Sequence, residues 1–276
     1  MSWRARLSLH YTRDGERTTA HDRHEGPLRV LRRLYPEGPA ICHHVLLHPP
    51  GGVAAGDVLE VEARLETGTH AVVTTPGATR FYRSEGALAE QRSTLHLAPG
   101  ARLEWLPMEA IAHPGCQALN RLRATLEPGA EMIGWDVLAL GLPASGQAFD
   151  QGVFSQHLEL PGVWLDRARI VAGDHLLRQS PLGWAGHGVL ATAWMAAGTA
   201  WPVAKRQALL DVARAAIQHH GLAANAGVTA VQPSVLVLRV LAAGVEPAMQ
   251  VLALARAAWR QLAWGLAAEP PRIWRT

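Results

Sequence analysis

"ARLETGTHAVVTT", residues 63–75, decides how the chain is read. Ala63 and Leu65 alternate with polar neighbours, Gly68 interrupts, and the run Val72–Thr75 is wholly β-branched. A period of two marks a half-buried strand, and β-branched side chains fit a pleated surface. Two further segments repeat the arrangement: "STLHLAPGARLEW" at 93–105 and "LRATLEPGAEMIGW" at 122–135. Their turn glycines, Gly68, Gly100 and Gly129, lie 32 and 29 residues apart. Pro presets φ and Gly tolerates positive φ, so Pro99-Gly100 and Pro128-Gly129 read as turns. A hairpin-like unit recurring about every 30 residues predicts stacked β layers. No strand–helix–strand alternation precedes residue 200, which argues against a nucleotide-binding α/β domain.

The last third changes period. "PVAKRQALLDVARAAIQHHG" starts at Pro202 and stops at Gly221, with Leu209, Val212, Ala213, Ala216 and Ile217 on one helical face. "GVTAVQPSVLVLRVLAAG" reads as strand. "EPAMQVLALARAAWRQLAWG" reads as a second helix, interrupted in its apolar run by Gln250, Arg256, Arg260 and Gln261. So apolar a helix is expected to be buried, in this chain or against a partner. The expected fold is mainly β (α+β): a layered, solenoid-like β body with two C-terminal-region α-helices, near 203–220 and 246–264, in a single domain over 1–276.

Composition fits a packed chain: 276 residues, 49 % apolar and 18 % charged. The net charge is +3, Lys occurs once (Lys205), and the arginines are scattered along the sequence, so no nucleic-acid footprint is read. Cys42 and Cys116 make no disulfide framework, and the first residues carry no apolar signal-peptide core. A cytoplasmic location is expected. The uncharged stretch Gln179–Ala204 is broken by glycines and Pro202, so it is read as a buried strand pair and not as a membrane span.

Motifs for chemistry are sparse. "PPGGVAAGD", 49–57, lacks the Gly-Lys-Ser/Thr of a phosphate loop and reads as a turn that could present Asp57. "CHHVLLH", 42–48, would place Cys42, His44 and His48 on one strand face and His43 on the other, a conceivable soft N/S metal site. "HPGC", 113–116, offers a second such pair. No Gly-x-Ser-x-Gly or HExxH occurs, and Glu104 and Glu109 are paired only in sequence. The ten tryptophans are expected mostly in the core, with any exposed ones marking a protein contact. An enzyme is therefore not expected. The competing readings are a metal-dependent hydrolase on a β scaffold and a purely structural β binding module.

"CHHVLLHPPGGVAAGD", "TTPGATRFYRS", "LEWLPMEAI" and the terminal "PPRIWRT", in this order, resemble the UreD (UreH) family of urease accessory proteins. The resemblance runs from about residue 26 to Thr276. It implies a layered β body with a helix pair and no catalysis. It further implies a scaffold that binds urease apoprotein and UreF, through which the GTPase UreG is recruited. Nickel would be transient cargo, with no tightly bound cofactor, and would take an internal passage. Carried onto this sequence, Asp57, Thr75, Tyr82, Arg83, Glu104 and Glu109 become partner-binding or passage-lining candidates. His43, His48 and Asp57 become transient nickel-transfer candidates. Phe81 is expected to pack inward, with Tyr82 and Arg83 at a passage or partner surface. The chain departs from the family pattern at Leu142 and Gln147, where Arg and Glu are common and a buried pair would have been lost together. Met108 also stands where Gln is common.

Overall fold

The computed structural model describes residues 2–275. In chain order the strands begin with β1 (Arg4–Asp14), β2 (Arg17–Glu25), β3 (Arg29–Val30), β4 (Ile41–Leu47), β5 (Gly52–Val53) and β6 (Val58–Leu65). They continue with β7 (His70–Thr74), β8 (Thr79–Phe81), β9 (Ala89–Leu97), β10 (Arg102–Leu106), β11 (Ala110–Ala112) and β12 (Gln117–Leu126). The last are β13 (Glu131–Leu140), β14 (Val153–Leu160), β15 (Trp164–Val171), β16 (Val189–Ala197), β17 (Ala226–Gln232) and β18 (Val235–Ala242). The helices are α1 (His175–Gln179), α2 (Val203–Ile217) and α3 (Val245–Trp264).

The strands form two sheets, in the order β15-β14-β12-β9-β6-β1-β2 and β17-β18-β16-β13-β10-β7-β4-β3, with β11, β8 and β5 joined to the second through β13. Each repeated unit contributes one strand to each sheet: β6 and β7, β9 and β10, β12 and β13. The units are thus corners of a coil and not hairpins, and they pair in parallel with the next coil. Leu65 pairs with Leu97, 32 residues on, and Leu97 with Leu126, 29 residues on. The glycine spacing in the sequence is the coil length. At the corners Gly68, Gly100 and Gly129 have φ of 70°, 69° and 80°, which only Gly adopts without strain.

Two cores result. Leu59, Val61, Leu95, Leu103, Trp105 and Leu138 fill the space between the sheets. Val72, Leu106, Ile133, Trp135, Leu209, Leu252 and Trp259 fill the space between the second sheet and α2 and α3. The second sheet is therefore covered on both faces, and β13 is buried almost throughout, whereas β12 alternates buried and open positions.

Three expectations change in detail. The stretch 226–242 is a hairpin, β17 and β18, turning at Pro233-Ser234. Gln179–Ala204 is not a strand pair. It holds turns and one strand, β16, whose partners are β13 and β18. Helix α2 ends at Ile217, short of Gly221, and it buries Leu210 besides Leu209, Ala213 and Ile217. Helix α3 is buried as expected, with Leu254 and Leu262 left exposed. Arg256 and Arg260, which interrupt its apolar run, are buried too. Among the described residues Trp3 is the one exposed tryptophan. No helix among them is long and apolar enough to cross a membrane.

Candidate functional site

The inner faces of the two sheets part at one strand end into a cleft of about 430 Å³. His48, Gly52, Thr75, Arg80, Gln91 and Trp105 are among its lining residues. Thr75 is fixed there: its Oγ1 accepts the Met108 N–H at 2.9 Å and donates to Gly77 O at 3.0 Å. His48 follows the end of β4, and burial lowers its pKa, with Asp57 acting in the opposite sense.

Behind the cleft a few polar side chains interrupt the apolar core between the sheets. Gln91, Asn120 and Gln156 are successive register partners on β9, β12 and β14. The second sheet answers with Asp136 on β13. Asn120 Nδ2 donates to Asp136 Oδ2 at 2.6 Å, and Gln156 Nε2 donates to Asp136 Oδ1. All three of these side chains are buried. Burial pushes the Asp136 carboxyl up to about 7, against the pull of the two amides. The sequence reading missed this trio. Its signal was present: one Asp inside the otherwise apolar run "EMIGWDVLAL".

A second polar cluster lies on the other face of the second sheet, under α3. His43 Nε2 donates to Glu37 Oε1 at 2.8 Å, and Arg260 bonds Glu37 Oε2. Arg260 Nε is 3.3 Å from Glu104 Oε1. Glu104 also accepts from Arg256 Nε at 2.6 Å and from His70 Nε2 at 3.2 Å. Burial works against ionisation of Glu104, but His70 and the two guanidiniums prevail and hold its pKa at about 2. His70 remains below the usual histidine range because burial outweighs the Glu104 charge. His43 and Glu104 are thus joined, through Glu37 and Arg260, in a clamp that fastens α3 to the sheet. Two arginines four apart on an apolar helix were the sequence signal for it.

The other candidates stand apart. Asp57 closes a turn, accepting the Trp3 N–H at 2.7 Å and the Ala54 N–H at 2.9 Å. Phe81 is fully buried against Phe154, as expected. Tyr82 packs edge-on against His113 at 5.0 Å and over Gly52, where an added Cβ would come within 2.2 Å of the ring. Arg83 is exposed. Glu109 is half-buried, and its Oε2 has no hydrogen-bond partner among the described residues.

The cysteine–histidine pairs face inward. His44 Nδ1 meets Tyr11 Oη at 2.8 Å, and burial lowers His44 to about 4. Burial also raises the Cys116 thiol to about 12, which opposes thiolate ligation. No group of three or more His, Cys, Asp or Glu among the described residues is placed to hold a metal ion. Leu142 and Gln147 close their loop with two backbone hydrogen bonds, 2.7 and 3.1 Å. Leu142 is half-buried and Gln147 exposed, so an Arg–Glu pair there would stand at the surface and not in the core.

The terminal motif folds back under the helices. Trp274 Nε1 donates to Thr74 Oγ1 at 2.8 Å, and its ring lies 5.3 Å from that of Trp135. Trp135 Nε1 in turn donates to Pro107 O at 2.7 Å. Pieces of three quoted motifs meet here; the motif's last residue, Thr276, lies outside the described residues.

For this layered β coil backed by a helix pair, the comparisons with known proteins define the class: accessory proteins and not catalytic enzymes. The family model described as "UreD urease accessory protein" matches residues 4–275, and the chain belongs to that family. A relative from Leptothrix cholodnii, named "Urease accessory protein UreD", is 59 % identical over the full length of both chains. Relatives of the same name from Variovorax paradoxus and Paracidovorax citrulli are 56 % and 57 % identical over 100 % and 99 % of each chain. Membership implies a role in urease maturation.

Proposed function

We propose that the chain is the scaffold of urease maturation, binding urease apoprotein and UreF, through which UreG is recruited, and passing nickel between its two sheets. The observation that carries this reading is the polar register line Gln91–Asn120–Gln156, which starts in the cleft and meets Asp136 at the centre. Delivery calls for weak, exchangeable donors, since a closed cage would retain the ion. One carboxylate with two amides is such a set. His48 and Thr75 form the mouth in this reading. Glu109, with its free oxygen, is a further donor, and Tyr82 and Arg83 are rim contacts. His43, Glu104 and Asp57 already spend their polar atoms on the fold and serve the passage by holding its walls.

The test is co-expression with urease subunits, UreF, UreG and UreE in nickel medium, with the wild-type chain, without it, or with Asp136→Asn. Bound nickel and urea hydrolysis are measured together with co-purification of UreF. Omission should abolish both activities. D136N should keep UreF and lower nickel loading at least about tenfold. Full loading with D136N would overturn the passage, and full activity without the chain would overturn the scaffold.

A further inference from the structure

Arginines scattered along the sequence are gathered by the first sheet. On its outer face Arg92, Arg121, His157 and Arg167 are successive register partners across β9, β12, β14 and β15. Arg123 and Arg169 flank this row, and both are exposed. Like charges directly opposite one another on a sheet are destabilising.

The two halves of this face differ. Around β1, β6 and β9 the charges are matched: Glu60 serves Arg4, Arg6 and Arg92, and Glu90 serves Arg92. Over β12, β14 and β15 four arginines face one carboxylate, Glu159, which lies 3.6 Å from Arg121 and 3.8 Å from Arg123. No carboxylate among the described residues pairs with Arg167 or Arg169. The excess on this half equals the formal net charge of the whole chain, +3. Leu165 stands among these arginines, 53 % exposed.

We propose that the outer face of β12, β14 and β15 is a docking surface for a folded protein that presents a carboxylate-rich face. Guanidiniums on a rigid sheet are pre-organised for paired bonds to carboxylates. Arginine beside an exposed apolar residue is the composition of an interface anchor. A nucleic-acid site would carry its basic stripe onward, but here the stripe ends against Glu60, Glu62 and Glu90. Which proteins are tried first rests on the function proposed above.

The test is charge reversal in the full chain, Arg121→Glu with Arg167→Glu, co-expressed with tagged UreF and, separately, with tagged urease subunits. The expected result is an about tenfold lower retention by one of the two, matched by the same loss for the wild type at high salt. Arg4→Glu with Arg64→Glu, on the matched half, should change nothing, and the neutral pair R121Q/R167Q should fall between. Unchanged retention by both, insensitive to salt, would overturn the proposal. If the wild type retains neither protein, the scaffold reading fails separately, and a fluorescent hexaglutamate peptide then probes the face alone. Salt-sensitive binding lost on charge reversal supports the docking surface, and no binding overturns it. Equal or tighter binding of a DNA duplex would overturn the choice of a protein partner.

Discussion

Arg260 on α3 lies with its Nε 3.3 Å from Oε1 of Glu104 on β10, and neither side chain reaches solvent. A buried ion pair contributes little net stability when intact, but removing one partner strands the other. Glu104→Gln should therefore destabilise the chain by about 3–5 kcal/mol in urea denaturation. Replacing Glu37, Glu104, Arg256 and Arg260 together with apolar residues of similar volume, which strands none of these charges, should cost much less. Equal losses would show that the cluster stabilises as a unit.

Glu104 also sets the acid limb. Its folded pKa of about 2 lies below the ordinary carboxylate value, so its stabilisation is complete above about 4.5 and is lost as pH falls toward 2. Acid titration followed by Trp fluorescence should show an unfolding step in that window that Glu104→Gln lacks.

Asp136 has the opposite sign. Its folded pKa of about 7 exceeds the unfolded value of about 3.9, so the folded chain binds the extra proton. Stability should fall as pH rises from about 4 to about 7. Asp136→Asn should flatten that slope in thermal melts, and an unchanged slope would place the titration elsewhere.

Two glycines should respond differently to alanine. Gly100 has φ of 69° and open space around an added Cβ, so Gly100→Ala should cost only about 1 kcal/mol of backbone strain. Gly52→Ala should push Tyr82 off His113, seen as a changed Tyr environment in near-UV circular dichroism at near-normal secondary structure.

The coil length was legible because Gly68, Gly100 and Gly129 mark one corner each. Coil and hairpin were not distinguishable there, since a strand, a glycine turn and a strand describe both. The continuous burial of "EMIGWDVLAL" against the alternation of "QALNRLRATL" carries that distinction, because only a strand covered on both faces can dispense with polar positions. The site was less legible. His43 and Glu104 are donors by type, yet their partners come from residues 37, 256 and 260, and sequence distance hides such pairing. Asp57 likewise looked available until Trp3 and Ala54 filled both of its oxygens.

Trp274 offers a check on the tail. Trp274→Ala would lose the bond to Thr74 and the contact with Trp135, and should lower stability by about 2 kcal/mol. Limited proteolysis should then clip the chain after Trp264.

The clamp under α3 bears on the order of synthesis. Glu37 and Glu104 leave the ribosome long before Arg256 and Arg260, since even the nearer pair, Glu104 and Arg256, is 152 residues apart. Until then the two carboxylates lack their guanidinium partners, and the part of the sheet that α3 covers stays open. The nascent coil therefore has an unfinished back, and α3 acts as a late-arriving lock. A ribosome stalled shortly before residue 256 would hold the chain in that open-backed form, the stage at which a holdase would be needed most.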